Sequence, residues 1–150
     1  MSTINLGLSD GRIKVYVNKE LYGDDRVIYI NPGDINIFER AKIAEEKIKK
    51  IQIDAQEEIN AFNAQKNADP TIMISVISRI DTEIRKAVDY IFDYNASKAV
   101  FGETNALADV NGKPYIEVFL SAILPVIKEH ITSYGKSAKK RVDAVEAYIK

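Results

Sequence analysis

The chain has 150 residues, of which 46% are apolar and 29% charged, and its 21 basic and 22 acidic side chains nearly cancel. This composition is typical of a folded domain and favours neither a disordered chain nor a nucleic-acid partner. The absence of cysteine excludes disulfides and thiolate chemistry, and without a signal-peptide pattern or an apolar run of about 18 residues we expect a cytoplasmic protein with no membrane span.

A β-hairpin is predicted at the N-terminal end. Apolar and polar residues alternate from Arg12 to Asn18, and β-branched and aromatic residues return from Arg26 to Ile30 after a turn at residues 21–25. Residues 4–8 are a candidate edge strand. Because an isolated hairpin is only marginally stable, we expect it to pack on helices, pair with another sheet edge or accept a strand from a second chain.

A long helix is predicted after residues 31–34, with Asp34 as its N-cap. Apolar side chains recur along it at alternating steps of four and three, the spacing of a coiled-coil seam, interrupted only at Glu58. The seam consists of Ile37, Ala41, Ala44, Ile48, Ile51, Ala55 and Phe62. Two interpretations stay open, namely that the seam packs inside this fold or that it joins a helix of another chain. The spacing of Glu45 and Lys49 predicts an ion pair on the solvent face.

The second helix is predicted to begin at Pro70, behind the capping residue Asp69, and to reach about Tyr94. Its apolar stripe contains Met73, Val76, Ile77, Ile80, Ile84, Val88 and Ile91, while Arg79, Glu83 and Lys86 are expected to face solvent. Asp81 and Arg85 are one turn apart and therefore at pairing distance.

Residues 96–113 are predicted to form a packed surface loop, because turn-forming residues alternate there with apolar ones such as Phe101. Pro114 is predicted to begin a third helix, in which Pro125 causes a kink or a break. The apolar face of this helix carries Ile116, Phe119, Leu120, Ile123, Ile127, Ile131 and Tyr134. After Gly135 a short terminal helix is expected at residues 136–150, with Ala138, Val142, Val145 and Ile149 at helical spacing.

These elements predict an α+β fold, mainly α, in a single domain of residues 1–150. Residues 1–31 form the hairpin in this prediction. Residues 34–150 form three to four helices, with the loop at about 96–113. The first helix is the long one with the heptad seam.

Side chains that could perform chemistry are few. His130 is the only histidine, and no further ligands are spaced to complete a metal site around it. The sequence has no phosphate-binding glycine loop and no Gly-x-Ser-x-Gly motif, and its acidic turn residues do not match a calcium loop. The basic residues at 136–141 are better explained as a solvated helix face than as a nucleic-acid or lipid site. We therefore expect a protein-binding function with no enzymatic activity, no cofactor and no metal.

Part of the sequence resembles a known group of proteins. The run Tyr-Asn-Ala-Ser-Lys-Ala-Val-Phe-Gly-Glu-Thr-Asn from Tyr94, followed by Asn-Gly-Lys-Pro and by Phe-Leu-Ser-Ala-Ile-Leu-Pro-Val-Ile ending at Ile127, is similar to tail assembly chaperones. These are small proteins encoded in the tail-gene clusters of bacteriophages and prophages of Gram-positive bacteria. The general order of hairpin, long helix, second helix, Phe-Gly loop and proline-containing final helix is similar too.

The resemblance implies a protein of the bacterial host cytoplasm that binds the hydrophobic, helical tape-measure protein and assists assembly of the tail-tube protein around it. It also implies a homo-oligomer, with neither nucleic acid nor membrane as a partner. Candidate self-association or client contacts are Ile37, Ile48, Ile51, Phe62, Phe101, Phe119 and Ile123. For each of these residues the alternative is a place in the core. The alternative function is a structural tail or head-completion subunit that stays in the phage particle.

Overall fold

The predicted α+β, mainly α fold class is confirmed by a computed structural model of the chain, which describes residues 2–9 and 11–149. The elements follow one another as β1 (Ile13–Tyr16), α1 (Lys19–Tyr22), β2 (Val27–Ile30), α2 (Ile37–Asn63), α3 (Pro70–Phe92), α4 (Ser97–Phe101), β3 (Asp109–Val110), β4 (Lys113–Pro114) and α5 (Tyr115–Ile149). Three long helices and the N-terminal hairpin enclose one apolar core.

The N-terminal hairpin pairs β1 with β2 in antiparallel register, with Ile13 opposite Ile30 and Tyr16 opposite Val27. Alternation along β2 buries Ile28 and Ile30 against the helices and leaves Tyr29 on the outside. The candidate edge strand at residues 4–8 is not formed. In the described part of the chain the sheet ends at β1, and residues 2–9 are exposed and outside any strand.

Helices α2 and α3 form an antiparallel pair, since Arg40 near the start of α2 bonds the carbonyl of Ile91 near the end of α3 and Glu58 pairs with Arg79. The heptad seam of α2 is used inside this pair. Its buried members are Ile37, Ala41, Ala44, Ile48 and Ala55, and they face a buried stripe of α3 that includes Ile80, Ile84, Val88 and Ile91. The small alanines allow the helices to approach closely. This favours the intramolecular interpretation of the seam.

The start of α2 differs from the prediction. The residue before the helix is Asn36, whose side chain makes no capping bond, so Asp34 is not the N-cap. Instead the Asp34 carboxylate accepts from the Asn36 N–H at 3.2 Å and from the Arg40 guanidinium inside the first turn. A turn at residues 35–36 separates Asp34 from the first helical residue, Ile37, so its carboxylate bonds an N–H that precedes the helix. The cap at Asp69 is confirmed, with its carboxylate accepting from the Thr71 N–H at 3.0 Å.

The predicted loop at residues 96–113 is packed as expected but contains the short helix α4 and the small β3–β4 ladder. Val100 and Phe101 are fully buried there. Pro114 belongs to β4, and α5 begins one residue later and runs unbroken through Pro125 and Gly135. The predicted separate terminal helix is therefore the end of α5. Pro125 is tolerated because it is exposed, as is Ser121, whose carbonyl loses its helical donor and can bond water.

Candidate protein-binding surfaces

An apolar groove lies between β1 and α5. It encloses about 460 Å³ and is lined at its sides by Val15 and Val17 of the hairpin and by Val118, Ala122 and Val126 of α5. Its remaining lining residues are Tyr16, Asn18, Ile28, Val100, Val110, Tyr115, Phe119 and Ile123, so no lining side chain is charged. Such a concave apolar surface can bind apolar side chains of another segment.

The groove lies beside the end of β1 and the two residues after it, because four consecutive residues, 15 to 18, line it. In the described part of the sheet β1 pairs with β2 alone, so one edge of β1 has no strand beside it. The outer edge of β2 is occupied differently, since the Tyr29 N–H donates to the Tyr94 hydroxyl at 2.7 Å. The unpaired β1 edge therefore offers backbone donors and acceptors next to an apolar groove, the arrangement that strand addition requires.

An ionic network on α3 holds the segment that contains Val100, one of the lining residues of the groove. Arg85 pairs with Asp81 and donates to the carbonyls of Gly102 and Thr104 at 2.9 and 2.8 Å. Its guanidinium carbon also lies 5.4 Å from the centre of the Phe101 ring. These contacts hold the end of α4 against α3 and keep the neighbouring Val100 in the lining of the groove.

A second candidate surface is the outer half of α5. Residues 139–149 are all exposed, yet Val142, Val145 and Ile149 keep apolar side chains there, with 57, 56 and 77% of their surface accessible. They belong to a series that begins with Ile131, Gly135 and Ala138, in which successive positions are alternately four and three residues apart. Lys139, Arg141 and Glu146 flank this stripe. We call residues 131, 135, 138, 142, 145 and 149 the α5 stripe, and its spacing is that of a coiled-coil seam. Ile131 packs against the core, whereas the stripe residues from Val142 onwards are exposed.

The ion pair between Asp34 and Arg40 connects the segment after β2 to the first turn of α2. The Arg40 guanidinium also donates to the carbonyl of Ile91 at 2.9 Å. Hydrogen bonding to Arg40 lowers the pKa of Asp34, and the same bond raises the pKa of Arg40. Burial raises the pKa of Tyr94, against the opposing effect of the hydrogen bond from Tyr29. These groups support the structure around the groove and lie outside its lining.

Most of the predicted contact residues lie in the core. Ile37, Ile48, Phe101, Phe119 and Ile123 are all buried, and the side chains of Phe119 and Ile123 reach the floor of the groove. Ile51 and Phe62 are half-buried. Since a buried side chain outside the groove cannot meet a partner unless the fold opens, the burial favours the alternative of core residues for Ile37, Ile48 and Phe101.

The sequence indicated the edge of the hairpin as an acceptor of a strand from a second chain, but neither the groove beside that edge nor the exposure of the α5 stripe was predicted. The α5 stripe was visible as regular spacing from residue 138 onwards, but nothing in the sequence indicated that this segment extends beyond the core. The groove could not be found from the sequence, because it exists only where β1 comes to lie beside α5.

The chemistry of the described residues adds no further site. His130 is half-buried at a shallow hollow shared with Ser133, Tyr134 and the turn at Pro32. Across residues 2–9 and 11–149, no three histidine or acidic side chains are grouped so that they could hold a metal ion. Over the same residues, none of the helices combines the length and apolar character needed to cross a membrane.

In comparisons with protein families, curated proteins and solved structures, no match to this chain was found.

Proposed function

We propose that this chain is a non-enzymatic phage tail assembly chaperone that binds the helical tape-measure protein and assists assembly of the tail tube. The observation that carries the proposal is the α5 stripe, an apolar heptad pattern that ends in eleven consecutive exposed residues, 139 to 149. The sequence resemblance at residues 94–127 supports the identity of the client. An exposed apolar stripe at heptad spacing is a surface that can pack against a partner helix.

The α5 stripe has the features of a docking surface for a single helix. Gly135 and Ala138 are small, so a partner helix can approach the backbone of α5 closely at that end. Val142, Val145 and Ile149 offer branched side chains at the other end, and burying each completely is worth about 1.5 to 3 kcal/mol. The flanking charges of Lys139, Arg141 and Glu146 keep the unbound helix soluble and select the register of the partner.

The proposal places the protein in the cytoplasm of the bacterial host during tail assembly. There it keeps the tape-measure protein soluble until tail-tube subunits cover it. Binding through a few exposed side chains suits this role, since a modest interface allows release when the tube protein competes for the same client surface. Neither nucleic acid, membrane nor cofactor takes part in the proposal.

Co-expression with the tape-measure protein of the same gene cluster tests this function. We expect the tape-measure protein to be soluble and to co-purify with this chain, and to be insoluble when it is expressed alone. A tape-measure protein that is equally soluble without this chain, or that does not co-purify with it, would contradict the proposal.

A second candidate function is a structural tail or head-completion subunit that stays in the particle. The observation in its favour is the unpaired edge of β1, which could extend a sheet of a neighbouring subunit. Mass spectrometry of purified virions distinguishes the two functions. A chaperone is absent from the finished particle, whereas a structural subunit is present in stoichiometric amount.

A further inference from the structure

We propose that the groove between β1 and α5 binds residues 2–9 of a second copy of this chain, which add a third strand to the unpaired edge of β1. The exchange is reciprocal, so that two copies each donate one N-terminal segment, here called the arm. The proposal is independent of client binding, because the groove and the α5 stripe share no residue.

The arm has the composition of a β-strand with one apolar face. Ile4, Leu6 and Leu8 alternate with Asn5 and Gly7, so three aliphatic side chains point to one face of an extended segment. All three are strongly exposed, with 88, 75 and 77% of their surface accessible. No residue from 2 to 9 is charged. Exposing these aliphatic side chains to water is unfavourable in free energy, and burying the segment in an apolar site requires no charge to be desolvated.

The groove matches the arm in shape, polarity and register. It is lined by the consecutive residues 15–18, has no charged lining residue, and its volume of about 460 Å³ suits several aliphatic side chains. In antiparallel pairing, Leu6 opposite Val15 places Ile4 opposite Val17 and Leu8 opposite Ile13. Ile4 and Leu6 then lie beside Val17 and Val15, which line the groove, and Leu8 lies on the same face beside Ile13, beyond the lining.

The occupant is assigned to a second copy because the chain's own arm does not use the groove. In this structure residues 2–9 form no strand and their aliphatic side chains are exposed, while the groove beside β1 is open. An arm from a second copy approaches β1 without a chain reversal. The dipeptide Asp10-Gly11, with φ of 71° at Gly11, also suits a tight turn that would return the arm to its own strand. Intramolecular pairing is therefore the outcome that the experiment must separate from exchange.

The mass of the protein in solution gives the first test, with variants of the arm. We expect the natural chain to form dimers at micromolar concentration, and the variant Leu6→Asp to be monomeric because it brings a carboxylate into the apolar groove. The matched control Asn5→Asp adds the same charge on the opposite face of the arm and should remain dimeric. A monomeric natural chain overturns the proposal, and so does a dimer that Leu6→Asp leaves intact.

Disulfide trapping gives the second test, and the natural absence of cysteine makes it unambiguous. The proposed register places Gly7 opposite Lys14 on the solvent face, so the double variant Gly7→Cys/Lys14→Cys should oxidise to a covalent dimer. A bond within one chain, seen as an oxidised monomer, overturns exchange in favour of the chain's own arm. A control pair, Gly7→Cys with Glu46→Cys on the exposed face of α2, should stay reduced, and equal dimer yields from both pairs would show random collision and overturn the register.

Discussion

Arg85 Nε donates to Asp81 Oδ2 at 3.0 Å across one turn of α3, and this pair organises the segment that follows α4. Asp81 accepts from the Ala106 N–H at 2.7 Å through its other oxygen, while Arg85 binds the carbonyls of Gly102 and Thr104. Two side chains of one helix thus satisfy three backbone groups of an irregular segment. Because both side chains are about four-fifths buried, with 20 and 22% of their surface accessible, solvent screens the contacts only in part.

The variant Arg85→Met should therefore be destabilised. It leaves the carbonyls of Gly102 and Thr104 and the Asp81 carboxylate without their donor, and a hydrogen bond to a charged group contributes about 1.5 to 3 kcal/mol. Urea unfolding followed by circular dichroism measures the loss. The matched control is Arg79→Met, since Arg79 pairs with Glu58 on an exposed face and should lose less than about 1 kcal/mol. Equal losses in the two variants would show that the Arg85 network stabilises the fold no more than an exposed ion pair does.

The pair of Asp34 and Arg40 predicts a dependence of stability on acid pH. The pKa of Asp34 is lowered in the folded state, so the folded chain holds this proton less tightly than the unfolded chain. The pair therefore stabilises the fold above the ordinary aspartate pKa of 3.8, and this contribution disappears as the pH falls through the lower folded value. Asp34→Asn should be less stable than the natural chain at pH 6, and the difference should shrink as the pH falls below 3.8.

Denaturant unfolding at several pH values, with the natural chain and Asp34→Asn side by side, measures this effect. The exposed Asp24 provides the control for the substitution itself, because Asp24→Asn should give only a small stability difference at pH 6. A stability difference between the natural chain and Asp34→Asn that stays constant from pH 6 to 2.5 would rule out the ion pair as its cause.

The bond from the Tyr29 N–H to the Tyr94 hydroxyl predicts that Tyr94→Phe loosens the hairpin. The bond joins the outer edge of β2 to the residues after α3, and its loss should cost about 0.5 to 1.5 kcal/mol. Hydrogen exchange should show faster exchange at Tyr29 while the core of α3 stays protected. The control Tyr90→Phe removes a hydroxyl from an exposed ring and should leave the hairpin unchanged. Slow exchange at Tyr29 in Tyr94→Phe would contradict the tethering role.

Pro125 predicts a stabilising substitution. Since α5 continues through this exposed residue, Pro125→Ala can restore the backbone hydrogen bond to Ser121 without disturbing the core. We expect a gain of about 1 to 3 kcal/mol in the free energy of unfolding. Thermal unfolding measures it, with Ser137→Ala as an exposed control on the same helix. A loss of stability in Pro125→Ala would mean that the helix requires the local geometry that proline imposes.

The fold was largely predictable because its helices carry strong periodic signals. Pro70 with its cap Asp69, the stripe of α3 and the pairing of Asp81 with Arg85 all follow from spacing alone. The start of α2 was predicted wrongly, since a turn at residues 35–36 separates Asp34 from the first helical residue, Ile37, and the sequence does not show this turn. The sequence did not predict a single α5, because Pro125 and Gly135 are unfavourable in a helix interior. Their exposure to solvent, which makes them tolerable there, cannot be read from the sequence.

The binding surfaces were predictable only in part, for a related reason. An apolar stripe has the same appearance in sequence whether it is covered by its own chain or left open. Thus the seam of α2 was a candidate contact surface, although α3 covers most of it, whereas the similar spacing around Val142 lies on an exposed helix. Which stripe remains uncovered depends on helix length relative to the core, and this is a tertiary property.

The most direct test of the central claim is the affinity of the purified chain for the tape-measure protein when the α5 stripe is altered. Calorimetry should show that Val142→Asp/Val145→Asp binds at least about tenfold more weakly, since the loss of two buried valines exceeds the 1.4 kcal/mol that a factor of ten requires. The control Ala144→Asp/Ala147→Asp adds the same charges away from the stripe and should bind like the natural chain. Equal affinity for the natural chain and the stripe variant would contradict the account.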